Sequence, residues 1–228
     1  MRYHDRRHAG RELALRLVEH AAEEELPDPI VLALPRGGVP VAVEPARALD
    51  APLDVLVTRK IGVPGRPESG IGAIVGDDPP LFDRAALDLL GLNEQRLAPD
   101  VARERAELRR RESLYRGDRP EPRVEGRAVV LVDDGLATGV TARAALRHLR
   151  RRGAARLILA VPVGAPGTVA AMGSEPEGAD DIVCPLRPRG FYAVGQWYDV
   201  FPQVGDEEVI DLLRGHAARG TGGRHREG

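Results

Sequence analysis

The run Ala128-Val129-Val130-Leu131-Val132 leads at once into Asp133-Asp134-Gly135-Leu136-Ala137-Thr138-Gly139-Val140-Thr141, and this junction constrains the fold more than any other part of the chain. Five consecutive apolar residues, mostly β-branched, predict a strand buried on both faces, as in parallel sheets. Two adjacent carboxylates, a small hydroxyl-bearing turn and a helix from about Val140 to Arg151 follow. In open α/β sheets, ligands bind outside the carboxyl ends of the strands, which is where such a turn lies. Small residues let backbone N–H groups close around a phosphate, the helix N-terminus favours its charge, and Thr138 and Thr141 can add hydroxyl donors. Phosphate alone does not need Asp133 and Asp134; neighbouring carboxylates suit vicinal hydroxyls or a hydrated Mg²⁺. A phosphate and a diol held together describe a ribose 5-phosphate.

The rest of the chain supplies a matching frame. Ile30–Leu34, Val55–Val57, Arg156–Val163 and Ile182–Cys184 are further strand candidates, and Arg11–Glu25, Val41–Leu49, Thr168–Met172 and Glu207–Leu213 are helix candidates. Asp5 is available as an early cap, while Pro40 and Pro45 predict that the second helix starts late or kinks. Strands alternating with helices predict an α/β fold with a doubly wound parallel sheet. Residues 61–80 hold five glycines and four prolines with few apolar anchors, which predicts a long flexible loop. A charged helical segment spans 93–116, with Val101, Leu108 and Tyr115 as a narrow seam, and Gly215–Gly228 has the composition of a disordered tail.

Composition narrows the function classes. At 228 residues the chain suits one large domain or one with an appendage, here 1–214 followed by the tail. A formal charge of -2 argues against a generally basic nucleic-acid binder. The single Cys184 excludes an internal disulfide framework, and no apolar run approaches a bilayer span, so a cytoplasmic protein is expected. Two irregularities stand out: Lys60 is the one lysine among 33 basic residues, and five of the eight aromatics fall between Phe191 and Phe201. Codon bias toward arginine accounts for the first unless Lys60 sits where a guanidinium fork cannot replace a compact ammonium. Neither a Gly-x-x-x-x-Gly-Lys-Ser/Thr loop nor a Gly-x-Gly-x-x-Gly after the first strand is present.

Four apolar residues, two acids, two further residues and a small hydroxyl-bearing turn make a segment that resembles the signature of the type I phosphoribosyltransferases. Leu34-Pro35-Arg36-Gly37-Gly38-Val39-Pro40, after the first strand, is similar to the Arg-Gly-Gly loop of xanthine-type members, and Thr58-Arg59-Lys60 falls at the next strand end. Taken alone, Arg-Gly-Gly is only a turn. The aromatic stretch resembles the C-terminal part of hypoxanthine-type members on its Val194-Gly195 pair. The resemblance covers nearly everything up to residue 214 and implies a type I core with a small hood at 186–203. It further implies phosphoribosyl pyrophosphate (PRPP) and a small acceptor as ligands, Mg²⁺ as cofactor and pairing into a homodimer. Asp133 and Asp134 would hold the ribose hydroxyls and Mg²⁺ indirectly, Ala137, Thr138, Gly139, Val140 and Thr141 the 5-phosphate, and Arg36, Gly37, Gly38, Arg59 and Lys60 the pyrophosphate. Arg59, Lys60, Asp133 and Asp134 would carry catalysis, and Tyr192, with Phe191, Trp197 and Asp199, the acceptor base; alternatively the aromatics simply supply core bulk.

Two departures bear on function. Hypoxanthine-type members carry an acid at the position of Ala137 and a base-reading lysine on the next strand, and this chain has neither. It looks more like an uncharacterised bacterial branch, and a PRPP-sensing regulator without turnover is the competing expectation. His4 and His8 stand four apart without a third ligand nearby, so a capped helix start is the plainer reading of that region. If Lys60 is a phosphate point charge, Lys60→Arg keeps the charge yet lowers turnover, measured as pyrophosphate release; an unimpaired variant returns Lys60 to codon bias.

Overall fold

The computed structural model describes residues 2–175 and 178–222. Its first half comprises α1 (Arg6–Glu23), β1 (Ile30–Ala33), α2 (Gly38–Ala48), β2 (Leu53–Val55), β3 (Thr58–Val63), β4 (Arg66–Val75), β5 (Leu81–Phe82), α3 (Arg84–Leu90) and α4 (Glu94–Arg116). Then come β6 (Ala128–Val132), α5 (Val140–Arg151), β7 (Arg156–Ala160), α6 (Pro166–Ser174), β8 (Asp181–Val183) and α7 (Asp206–Gly222), with a single 3₁₀ turn at Val194–Trp197 before α7. Five parallel strands form the main sheet in the order β2-β1-β6-β7-β8. The doubly wound expectation holds, because side chains alternate between two apolar clusters. Val31, Ala33, Val130, Val132, Ile158 and Ala160 share a cluster with residues of α1, α2 and α7. Ile30, Leu32, Val129, Leu131, Leu157 and Leu159 share the other with α5 and α6.

Several local expectations need correction. Residues 61–80 do not form a structureless loop: β3, β4 and β5 make a second, antiparallel sheet. Gly72 serves close packing, since a Cβ there would lie 2.6 Å from Cδ1 of Phe82 on the neighbouring strand. Helix α2 starts early at Gly38, so Pro40 falls in the first turn, where a missing N–H breaks no hydrogen bond, and the helix continues through Pro45 to Ala48. Helix α1 starts at Arg6, five residues before the expected position, because Asp5 accepts a 2.7 Å hydrogen bond from the His8 N–H. Helix α7 runs to Gly222, past the expected start of the tail at 215, and residues 223–228 lie outside the described residues.

The small sheet is fastened to the main one through a buried histidine. His148 on α5 places Nδ1 2.6 Å from Oδ2 of Asp78, just beyond β4, and Nε2 3.8 Å from Oε1 of Glu121, an ion-pair distance rather than a hydrogen bond. Arg151 also pairs with Asp78, and Arg152 with Glu121. Burial works against charge on the imidazole, yet Glu121 and Asp78 outweigh it and raise the His148 pKa, while Glu121 is lowered to about 2. A folded-state pKa above that of the unfolded imidazole gives stability that is fully present below about pH 6.5 and is lost as pH rises through the folded value. Urea midpoints measured from about pH 5.5 to about pH 9 should therefore fall over the upper part of that range. His148→Gln should lose this component and be about 1–3 kcal/mol less stable at the acid end, the scale of a lost charge-assisted hydrogen bond from a buried side chain.

Candidate active site

Strand β6 ends at Val132, so Asp133 and Asp134 emerge at the carboxyl edge of the main sheet. The Asp134 N–H donates to Oδ1 of Asp133 at 2.8 Å. Burial, and then the charge of Asp134, push the Asp133 carboxyl well above its ordinary range. Burial also raises Asp134, against the opposing pull of Arg6. Arg6, in the first turn of α1, donates from Nε to Oδ2 of Asp134 at 2.9 Å and from NH1 to the Pro202 carbonyl at 2.7 Å. Its guanidinium stacks 3.7 Å from the centre of the Phe201 ring. A side chain 10% exposed against one 16% exposed makes this a largely buried ion pair with most donors satisfied, the arrangement in which burying charge is tolerated.

The loop after β1 reaches the acid pair by backbone contact. A Cβ at Gly37 would lie 2.0 Å from Asp134 Oδ2, and one at Gly38 would lie 2.7 Å from the Val132 carbonyl oxygen, so no side chain fits at either position. The preceding Pro35–Arg36 peptide is cis. Arg36 points toward α7, with NH1 3.6 Å from Oδ1 of Asp206, and Asp206 also accepts a 2.5 Å hydrogen bond from the Tyr115 hydroxyl. The turn after the acids passes through Ala137 and Thr138, both exposed, and enters α5 at Gly139, whose φ of +74° suits glycine.

The aromatic stretch covers the carboxyl edge. Tyr198 donates its hydroxyl to the Asp134 carbonyl at 2.6 Å, and Tyr3 donates its own to the Pro162 carbonyl at 2.9 Å. Tyr3, Ala9, Val163 and Tyr198 form a separate small core, against which Phe191, Val194 and Trp197 pack. Burial holds the Tyr3 hydroxyl up at about 12 and raises that of Tyr198 as well, so both stay protonated donors. Tyr192 is 89% exposed and Asp199 is also exposed. Core bulk therefore describes Phe191 and Trp197, whereas Tyr192 and Asp199 lie open.

Arg59 and Lys60 lie on β3, in the small sheet. Both Nε and NH2 of Arg59 donate to Oε2 of Glu104 on α4, at 2.9 and 2.6 Å. Arg59 and Lys60 line a cavity of about 520 Å³ with Gly65, Asp100, Arg103 and Glu104. The acid pair, the Gly37-Gly38 loop, the 135–141 turn and the aromatic cover thus come together, while Arg59 is engaged by α4. Tyr3, Arg6 and Tyr198 were not anticipated as parts of the site; the one sequence signal for Arg6 was the capping Asp5 beside it.

Fold and site define an α/β protein whose acid pair and glycine loop share the carboxyl edge of a parallel sheet. Residues 3–184 match the phosphoribosyl transferase domain, and the chain belongs to that family. It is 42% identical over 211 residues to a Mycobacterium tuberculosis protein, known from two strains and provisionally named a phosphoribosyl transferase. That match covers 92% of this chain, which spans 46% of the relative's length. Among solved structures, TT1426 from Thermus thermophilus is 42% identical with a TM-score of 0.76, covering 93% of this chain and 98% of its own. AQ2163 from Aquifex aeolicus shares the fold at 13% identity and a TM-score of 0.51, over 91% of this chain and 84% of its own. Among the described residues, no helix is long and apolar enough to cross a membrane.

Removing Arg6 leaves Asp134 buried without its cation. Arg6→Met should cost about 3 kcal/mol in urea denaturation, while Arg7→Met, whose side chain is 69% exposed, should cost under about 1 kcal/mol.

Proposed function

We propose that the chain transfers the 5-phosphoribosyl group of PRPP to a nucleobase-like or amine acceptor and releases pyrophosphate. The observation that carries this reading is the convergence of Asp133-Asp134, the Gly37-Gly38 loop and the 135–141 turn at one sheet edge, with Gly37 and Gly38 too close to the strand end and its acids for any side chain. Asp133 and Asp134 hold the ribose hydroxyls. Amides from Ala137, Thr138, Gly139, Val140 and Thr141 take the 5-phosphate, and Arg36, Gly37, Gly38, Arg59 and Lys60 serve the pyrophosphate. Tyr192, Phe191, Trp197 and Asp199 border the acceptor. The ribose C1–oxygen bond breaks with its electron pair leaving on pyrophosphate, the acceptor nitrogen forms the new bond to C1, and its proton passes to solvent. The residues contribute positioning and a preorganised field, and no protein nucleophile is required.

Asp133 and Asp134 fit Mg²⁺ held through substrate or water. No group of three or more potential ligand side chains is found among the described residues, and Asp134 already pairs with Arg6, so substrate oxygens and waters would supply most of the ion's ligands. When bound, the ion neutralises pyrophosphate charge. Ala137 is exposed and has no group that moves a proton, which favours one second reading, a PRPP-binding regulator without turnover.

Calorimetry with PRPP and Mg²⁺, joined to pyrophosphate release over a panel of nucleobases and small amines, tests both. The double variant Asp133→Asn, Asp134→Asn should lose PRPP affinity by at least about tenfold, consistent with the loss of charge-assisted hydrogen bonds, while His4→Ala should bind as the native chain does. Absence of PRPP binding sinks the proposal. Binding without release from any acceptor selects the regulator.

A further inference from the structure

The turn that precedes α5 is held from behind by α6 and by the first turn of α5 itself. Thr168 on α6 donates its hydroxyl to the Ala137 carbonyl at 2.7 Å. Arg143 on α5 donates from NH1 to the Thr138 carbonyl at 3.1 Å, and its Nε is fixed by a 2.7 Å bond to Oε1 of Glu175, the residue just after α6. Helix α6 also presses on the turn sterically, since a Cβ at Gly139 would lie 2.4 Å from Cε of Met172 and 2.9 Å from Cγ2 of Thr168.

In a trans peptide the C=O and N–H point in opposite directions. Tying the Ala137 oxygen to Thr168 therefore turns the Thr138 N–H away from α6, and tying the Thr138 oxygen to Arg143 turns the Gly139 N–H away from that arginine. Among the described residues neither N–H finds an acceptor. Two adjacent backbone donors are thus held without a partner in the chain, just before the N-terminus of α5, where anionic oxygens are favoured. A flexible turn would have to be ordered by the ligand at an entropic cost; a turn whose carbonyls are already tied has met that cost on folding.

We propose that Thr168 and Arg143 are positioning residues that preset the amides of the 137–141 turn for the 5-phosphate, with Glu175 orienting Arg143. Thr168 touches the turn and not the ligand. The inference rests on the phosphoribosyl reading of the site and adds to it residues outside the signature segment. It also separates the two anionic ends of PRPP, because none of these contacts involves the Gly37-Gly38 loop.

The test uses the full chain and two separate probes, ribose 5-phosphate and inorganic pyrophosphate, each titrated by calorimetry. Thr168→Val keeps the shape and removes the donor, and should weaken ribose 5-phosphate about fivefold to tenfold, the size of one lost hydrogen bond, with pyrophosphate within about twofold of native. Thr168→Ser restores the donor and should return ribose 5-phosphate to within about twofold of native. Arg143→Lys replaces the two nitrogens that bond Glu175 and the Thr138 carbonyl with one, and should reproduce the selective loss. Native affinity for ribose 5-phosphate in Thr168→Val, equal losses of both probes, or no rescue by serine would each overturn the proposal. A native chain that binds neither probe removes the phosphoribosyl reading beneath it instead.

Discussion

The buried pair of Arg6 and Asp134 is the interaction on which the arrangement of the site depends. A carboxylate at a sheet edge and a guanidinium under the aromatic stretch would each be costly to bury alone. Together they satisfy one another, and the remaining Arg6 contacts go to the Pro202 carbonyl and the Phe201 ring. One side chain thereby joins the first helix, the end of the central strand and the aromatic cover. Tyr198 acts alongside it by bonding the Asp134 carbonyl, so that acid is restrained at both its main chain and its side chain. Among the described residues, the Asp133 carboxylate accepts a hydrogen bond from the neighbouring amide alone. The two acids look equivalent in the chain, yet their surroundings differ: Asp134 is bonded at both main chain and side chain, and Asp133 at its side chain by one amide.

Closeness of backbone is the second organising constraint. The loop after β1 can lie against Asp134 only because Gly37 has no Cβ, and the turn into α5 can lie against α6 only because Gly139 has none. These glycines set distances between chain segments rather than supplying motion. In the small sheet, likewise, Gly62, Gly70 and Gly72 lie within paired strands.

What could be read from the sequence was what is encoded locally. The strand Ala128–Val132, the acids at its end and the helix beyond lie within one stretch whose composition specifies burial, charge and capping together. The parallel sheet followed because each further apolar run had the length and β-branched content of a buried strand. The role of Arg6 was hidden because its partner is 128 residues away and nothing in an arginine near a helix start distinguishes a buried cation from an exposed one. The 61–80 stretch was misread for a related reason: glycine and proline weaken local strand propensity, and the pairing that overrides it comes from neighbouring strands. Thr168 and Arg143 were silent because they act on backbone oxygens, to which any hydroxyl or guanidinium could in principle bond.

The cover over the sheet edge joins distant parts of the chain. Tyr3 pairs with Tyr198 as an isolated parallel bridge, and the Arg6 and Pro202 contact spans 196 residues. Contacts of such separation bear the full loop-closure cost before they return any stability. During synthesis, the sheet strands and α5 can assemble while Tyr3 and Arg6 still wait for residues near 200 to emerge. The pairing of the acid pair with its arginine and its aromatic cover thus depends on contacts between the two ends of the described chain. Without residues 198–202, the strands of the main sheet would keep their pairing while Tyr3, Arg6 and Asp134 would lose the partners that join them at its carboxyl edge.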